Sequence, residues 1–135
     1  MGAEQRNTYR GEPARAWIRL RLMSLGNHSC EYDFLFDTGN PCAIIVGTSM
    51  LRDFLWHESV DAHSNFGTLE GGWLRLAIPE LEFDVKTLGY ASDQVVDVVK
   101  RSAPSFAGLI GLPLLRMLEY GGNRGHFWVK VDSDE

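Results

Sequence analysis

The sequence predicts an all-β domain, mostly strand with one or two short helices, arranged as a small barrel or folded sheet. Three observations carry that expectation. Apolar and polar residues alternate with a period of two along several short stretches, turn-forming residues separate those stretches, and only two segments show helical spacing. The chain has 135 residues, of which 44% are hydrophobic, enough to bury one core. No repeat, low-complexity tract or linker divides it, so residues 1–135 are read as one domain with an ordered core over about 14–132.

Taken in order, Ala16 to Ser24 alternates Trp17, Arg19 and Arg21 with Ile18, Leu20 and Leu22, the pattern of a half-buried strand. Leu25-Gly26-Asn27 has turn chemistry, and Cys30 to Phe36 resumes as the second strand of a hairpin. Ala43 to Val46 is a short β-branched run. Thr48-Ser49 then offers a cap for a helix carrying Met50, Leu51, Phe54 and Leu55. His57 to Gly67 reads as polar and irregular. Trp73 to Ile78 and Leu81 to Tyr90 read as strands about Pro79-Glu80, and Gln94 to Val99 as one more. Lys100 to Ser105 is a charged connection. Phe106 to Leu112 is an apolar run broken by Gly108 and Gly111, and Pro113 suits the first position of a helix with Leu114, Leu115, Met117 and Leu118. Gly121-Gly122-Asn123 is expected to end that helix, and His126 to Val131 to close the domain as a strand.

Thirteen basic and eighteen acidic residues leave a formal charge of −5, with no Lys/Arg cluster beyond pairs such as Lys100-Arg101, which argues against nucleic acid as a partner. Met1 to Pro13 lacks the apolar core of a secretory signal, and no apolar run is long enough to cross a bilayer. A soluble, cytoplasmic protein without a membrane segment is therefore expected. Two cysteines, Cys30 and Cys42, are too few for a disulfide framework and read as buried free thiols.

The residues with most chemical promise are Asp37-Thr38-Gly39. The tripeptide by itself would occur in roughly two of every hundred chains of this size, so its setting must carry the interpretation. Tyr32 to Phe36 delivers Asp37 from the end of an apolar strand, and Ala43 to Val46 leads onward into another. A carboxylate at such a place is hydrogen-bonded or functional, because an isolated buried charge is costly. An Asp-x-Gly turn joining two strands is the alternative reading of the triplet.

A second motif adds weight. Phe34-Leu35-Phe36-Asp37-Thr38-Gly39, together with Leu109-Ile110-Gly111 followed by Leu114-Leu115, resembles the retroviral-type aspartic proteases, and their bacterial single-domain relatives in particular. The resemblance implies a retropepsin-like acid protease fold with a closed, barrel-like lobe, no cofactor and no metal. It implies an aspartic endopeptidase in which Asp37 is catalytic, Thr38 hydrogen-bonds the partner chain, and Gly39 brings its N–H to the carboxylate. One triplet supplies one carboxylate, so the implied enzyme is a homodimer acting on peptide or protein substrates. The family usually follows the triplet with a small residue, whereas Asn40 and Pro41 stand here. Asn40 either donates to the carboxylates or fits a tight turn. Gly67 to Trp73 falls where the family's flap lies, with Gly71-Gly72 suiting a hairpin tip, or else is an ordinary surface turn with Trp73 in the core. Retroviral relatives interleave their chain ends in the dimer, which the polar ends of this chain do not clearly support.

Other chemistries lack a basis. His28, His57, His63 and His126 have no metal-ligand spacing, and no Gly-x-Ser-x-Gly or phosphate-binding Gly-x-x-x-x-Gly-Lys occurs. Two non-hydrolytic alternatives stay open: a dimeric peptide-binding or scaffolding module on the same fold, and a small barrel that binds an apolar ligand.

Overall fold

A computed structural model describes residues 3–64 and 67–131. The chain is mostly β, with six strands closed into a barrel and a few short helices. Its strands are β1 (Glu4–Thr8), β2 (Trp17–Met23), β3 (Ser29–Phe36), β4 (Ile44–Val46), β5 (His57–Ser64), β6 (Gly67–Ile78), β7 (Phe83–Ala91), β8 (Phe106–Ile110), β9 (Glu119–Gly122) and β10 (His126–Lys130). The helices are α1 (Thr48–Phe54), α2 (Asp93–Ser102) and α3 (Leu112–Leu115), and a 3₁₀ turn at Pro79–Leu81 joins β6 to β7.

The barrel runs β2-β3-β8-β4-β7-β6 and closes where Arg21–Met23 of β2 pairs with Arg75–Ala77 of β6. Strand β6 is long enough to divide one edge between two partners, β2 near its end and β5 near its start. A separate sheet, ordered β1-β10-β9, holds the two ends of the described chain.

Period-two patterning explains the core. Ile18, Leu20 and Leu22 of β2 and Leu74, Leu76 and Ile78 of β6 are fully buried with Phe34, Ile44 and Ile110 inside the barrel. On the outside, Ile45 and Leu109 join Trp17, Phe106, Val95 and Val99 in a second apolar layer under α2. Strand β4 shows why a short run suffices: Ile44 and Val46 face one layer and Ile45 the other, so all three are buried. Each such side chain stabilises the fold by about 1.5–3 kcal/mol through burial.

Several expectations are corrected. Gln94 to Val99 is helical, within α2: Ser92 caps the N-terminus by accepting from Val95 N–H at 3.1 Å, and Val95 and Val99, four apart, face the barrel. His57–Ser64, read as irregular, is strand β5; it is exposed on both faces, so no hydrophobic alternation marks it, and it is held by pairing with β6. Residues 65 and 66 of that segment lie outside the described residues. Gly121 and Gly122 extend strand β9 instead of ending a helix, and α3 stops at Leu115. Helix α1 starts from Gly47 without a side-chain cap of its own, and Asp93 Oδ1 accepts from Thr48 N–H at 2.9 Å. Residues 4–8, placed outside the core, form β1, whose buried Gln5 bonds the Arg19 backbone on both its N–H and C=O sides. Residue 132, the expected end of the core, lies outside the described residues.

Candidate active site

Strand order creates the site. β8 lies between β3 and β4, parallel to the first and antiparallel to the second. The segment from Asp37 to Ala43 must therefore cross over the end of β8 to reach β4. The crossing is tied down by main-chain bonds: Asp37 N–H donates to Ile110 C=O at 2.9 Å, Gly111 N–H to Ala43 C=O at 2.9 Å, and Leu112 N–H to Asn40 C=O at 3.0 Å. Both sequence motifs meet at this point.

The crossing also explains Gly111. A Cβ there would sit 2.6 Å from the Asn40 carbonyl oxygen and collide with the carbonyl of Cys42, and neither backbone group can move without undoing the crossing. Within the loop, Gly39 N–H donates to Asp37 Oδ1 at 3.1 Å, the bond expected of that glycine, and Asn40 N–H to Asp37 C=O at 3.2 Å. Asn40 Oδ1 accepts from Cys42 N–H at 2.7 Å, a side-chain turn that holds the loop shape. Of its two readings, the tight-turn role is the one with a bond behind it. Asp37 is half-buried, while Thr38 and Gly39 are exposed.

Asp37 lines a cavity of about 610 Å³. Leu35, Ile45 and Leu109 from the barrel strands contribute to its lining, as do Val95, Val98 and Val99 from α2. His63 and Leu69 reach it from the β5–β6 hairpin. Cys42 also lines the cavity; it is a half-buried free thiol whose pKa is pushed up by burial, whereas Cys30, expected to be buried, is exposed. The volume lies within the range of ordinary small-molecule and side-chain pockets.

The flap expectation needs revision. Gly71 and Gly72 are not at a hairpin tip; they sit inside β6, paired with β5 on one side and β7 on the other. Gly71 is demanded by closeness, since a Cβ would lie 2.5 Å from Val60 C=O. Trp73 is not in the core, being 38% exposed on the same strand. The sequence reading missed the α2 valines as lining residues because it placed a strand there. The signal was present in Ser92 followed by the Val95/Val99 spacing.

Just upstream, Asp33 on β3 receives hydrogen bonds from Arg10 and Arg19, each 2.7 Å at closest. Burial works to raise its pKa, but the two guanidinium groups together outweigh that, so the carboxyl lies below its ordinary value. Arg10 also stacks 3.8 Å over the Trp17 ring, which locks the start of β2 against β3.

Among the described residues, no group of three or more His, Cys, Asp or Glu side chains is placed to hold a metal ion, and no helix is long and apolar enough to cross a membrane. No family model matches the chain, and no match was found among curated proteins or solved structures.

Proposed function

We propose that the protein is an aspartic endopeptidase of the retropepsin-like kind, active as a homodimer that brings two Asp37 carboxylates together. The observation that carries this reading is the placement of Asp37: it lies on a hydrogen-bonded crossing loop at a largely apolar cavity, with its Oδ1 already held by Gly39 N–H. Two carboxylates held close cannot both ionise, so they share a proton. The ionised member takes a proton from water as that water attacks the peptide carbonyl, and the protonated member donates to the carbonyl oxygen. No acyl-enzyme forms. Thr38, exposed beside Asp37, is free to meet the partner loop, and the cavity takes an apolar side chain of an extended peptide.

The test compares cleavage of a diverse peptide library by the wild type and Asp37→Asn from acidic to neutral pH. The amide keeps the acceptor for Gly39 N–H, so folding is expected to be retained. Cleavage should fall by about 10²–10⁴-fold or more, the range lost with a general acid or base. Equal cleavage by both proteins would refute the carboxylate mechanism. Peptide binding without turnover in both would instead assign a binding or scaffolding module.

A further inference from the structure

The sheet β1-β10-β9 has two edges, and they differ. The β1 edge carries the exposed Glu4–Arg6 ion pair at 2.6 Å, and Gln5 bonds Glu80 of the 3₁₀ turn at 3.2 Å. Charge and covering residues of this kind keep an edge from pairing with another chain. The β9 edge presents Glu119, Tyr120, Gly121 and Gly122, with Tyr120 41% exposed and no strand beyond it among the described residues. Tyr120 does not stand alone. Of the seven exposed large apolar side chains among the described residues, three (Leu112, Met117 and Tyr120) fall within residues 112–120. Leu112 lies in α3, Met117 between α3 and β9, and Tyr120 in β9, so the exposed apolar residues follow one another along the chain into the open edge.

This surface is tied to the catalytic loop at two points. Leu112 N–H donates to Asn40 C=O at 3.0 Å, and the Tyr120 ring meets Phe36, the residue before Asp37, with centroids 4.8 Å apart. In a two-fold dimer, whatever lies at the axis meets its own copy. If two Asp37 side chains pair, they lie at the axis, and the Phe36–Tyr120 contact carries β9 there with them. Among the described residues, the outer strands β1 and β10 are already paired with each other within one chain along five residues.

We infer that the β9 edge, flanked by Leu112 and Met117, is the homodimer interface, with β9 of a second copy adding antiparallel to it while each subunit keeps its own terminal strands. The inference rests on the paired-carboxylate reading. It differs from a dimer built by exchanging chain ends.

The experiment is sedimentation of the wild type, Tyr120→Asp, Met117→Asp and Asp37→Asn, with hydrolysis and circular dichroism measured on the same samples. The two interface variants should dissociate at least about tenfold more readily, as loss of a central aromatic or apolar anchor does, and lose activity in parallel. Asp37→Asn should remain dimeric and inactive. Interface variants that dimerise like the wild type would overturn this interface and leave the paired-carboxylate reading standing. A wild type that stays monomeric at the highest concentrations reached would overturn both. As a second measurement, independent of how the Asp variants fold, Tyr120→Cys in a Cys30→Ser background should oxidise to a covalent dimer that still cleaves peptide; failure to cross-link in a dimeric sample would place the interface elsewhere.

Discussion

At the scale of single residues, the carboxylates divide by what surrounds them. Asp33 is held by Arg10 and Arg19 with only 12% of its side chain exposed, and its pKa is lowered in the folded state. A carboxyl depressed on folding contributes stability that is fully present above its unfolded pKa of about 3.9 and is lost as pH falls through the folded value. Asp33→Asn should therefore cost about 1–2 kcal/mol near neutrality, less than a fully buried pair because both arginines reach solvent. The difference from the wild type should shrink steadily in acid, as urea denaturation at a series of pH values would reveal. A constant difference at every pH would mean that packing, not charge, holds this corner. Asp37 has no ion pair of this kind among the described residues and lines a cavity whose wall also includes Arg15.

Helix α2 is the element that most alters the functional picture. Its inner face packs Val95 and Val99 on Ile45 and Leu109, and the same valines with Val98 line the cavity beside Asp37. Val98 is 46% exposed, so it contributes to the cavity without being needed for the core. Val98→Asp should raise KM for peptides with apolar side chains severalfold, with the thermal midpoint little changed, since exposed substitutions usually fall within about 0.5 kcal/mol. Steady-state kinetics alongside a melting curve decide it; an unchanged KM would remove α2 from the substrate site. The β5–β6 hairpin matters in a different way. Its residues His63 and Leu69 reach the cavity, so the part of the hairpin beside the cavity lies away from Gly71 and Gly72.

For the molecule as a whole, the barrel is closed within one chain by the pairing of β2 with β6. The proposed chemistry needs a second copy, because one chain carries a single Asp-Thr-Gly. Specific activity should fall on dilution, tending toward proportionality with protein concentration once subunits dissociate, while circular dichroism stays that of a folded protein. Activity per subunit independent of concentration well below the measured dissociation constant would show that one subunit suffices.

Much of this was legible beforehand. Alternation along residues 17–22, with turn chemistry at Leu25-Gly26-Asn27 and an aromatic and aliphatic run over 30–36, specified the first hairpin, and Pro113 marked the start of α3 to within one residue. The pairing of Asp37 with Gly111 was legible only as two motifs; their contact depends on β8 entering between β3 and β4, a long-range strand order that no local pattern encodes. Residues 94–99 were misread because a short valine-rich run fits strand and helix alike, and the deciding term was burial of Val95 and Val99 against the barrel. Strand β5 was invisible for the converse reason: both its faces are exposed, so backbone pairing with β6 holds it and side-chain hydrophobicity does not. The sequence alone determined the mostly β class, the first hairpin and the chemically promising triplet, because those rest on local periodicity and residue type. Barrel closure, the crossing over Gly111, the cavity wall from α2 and the bare edge of β9 were decided by tertiary structure, because each depends on which distant strands share hydrogen bonds.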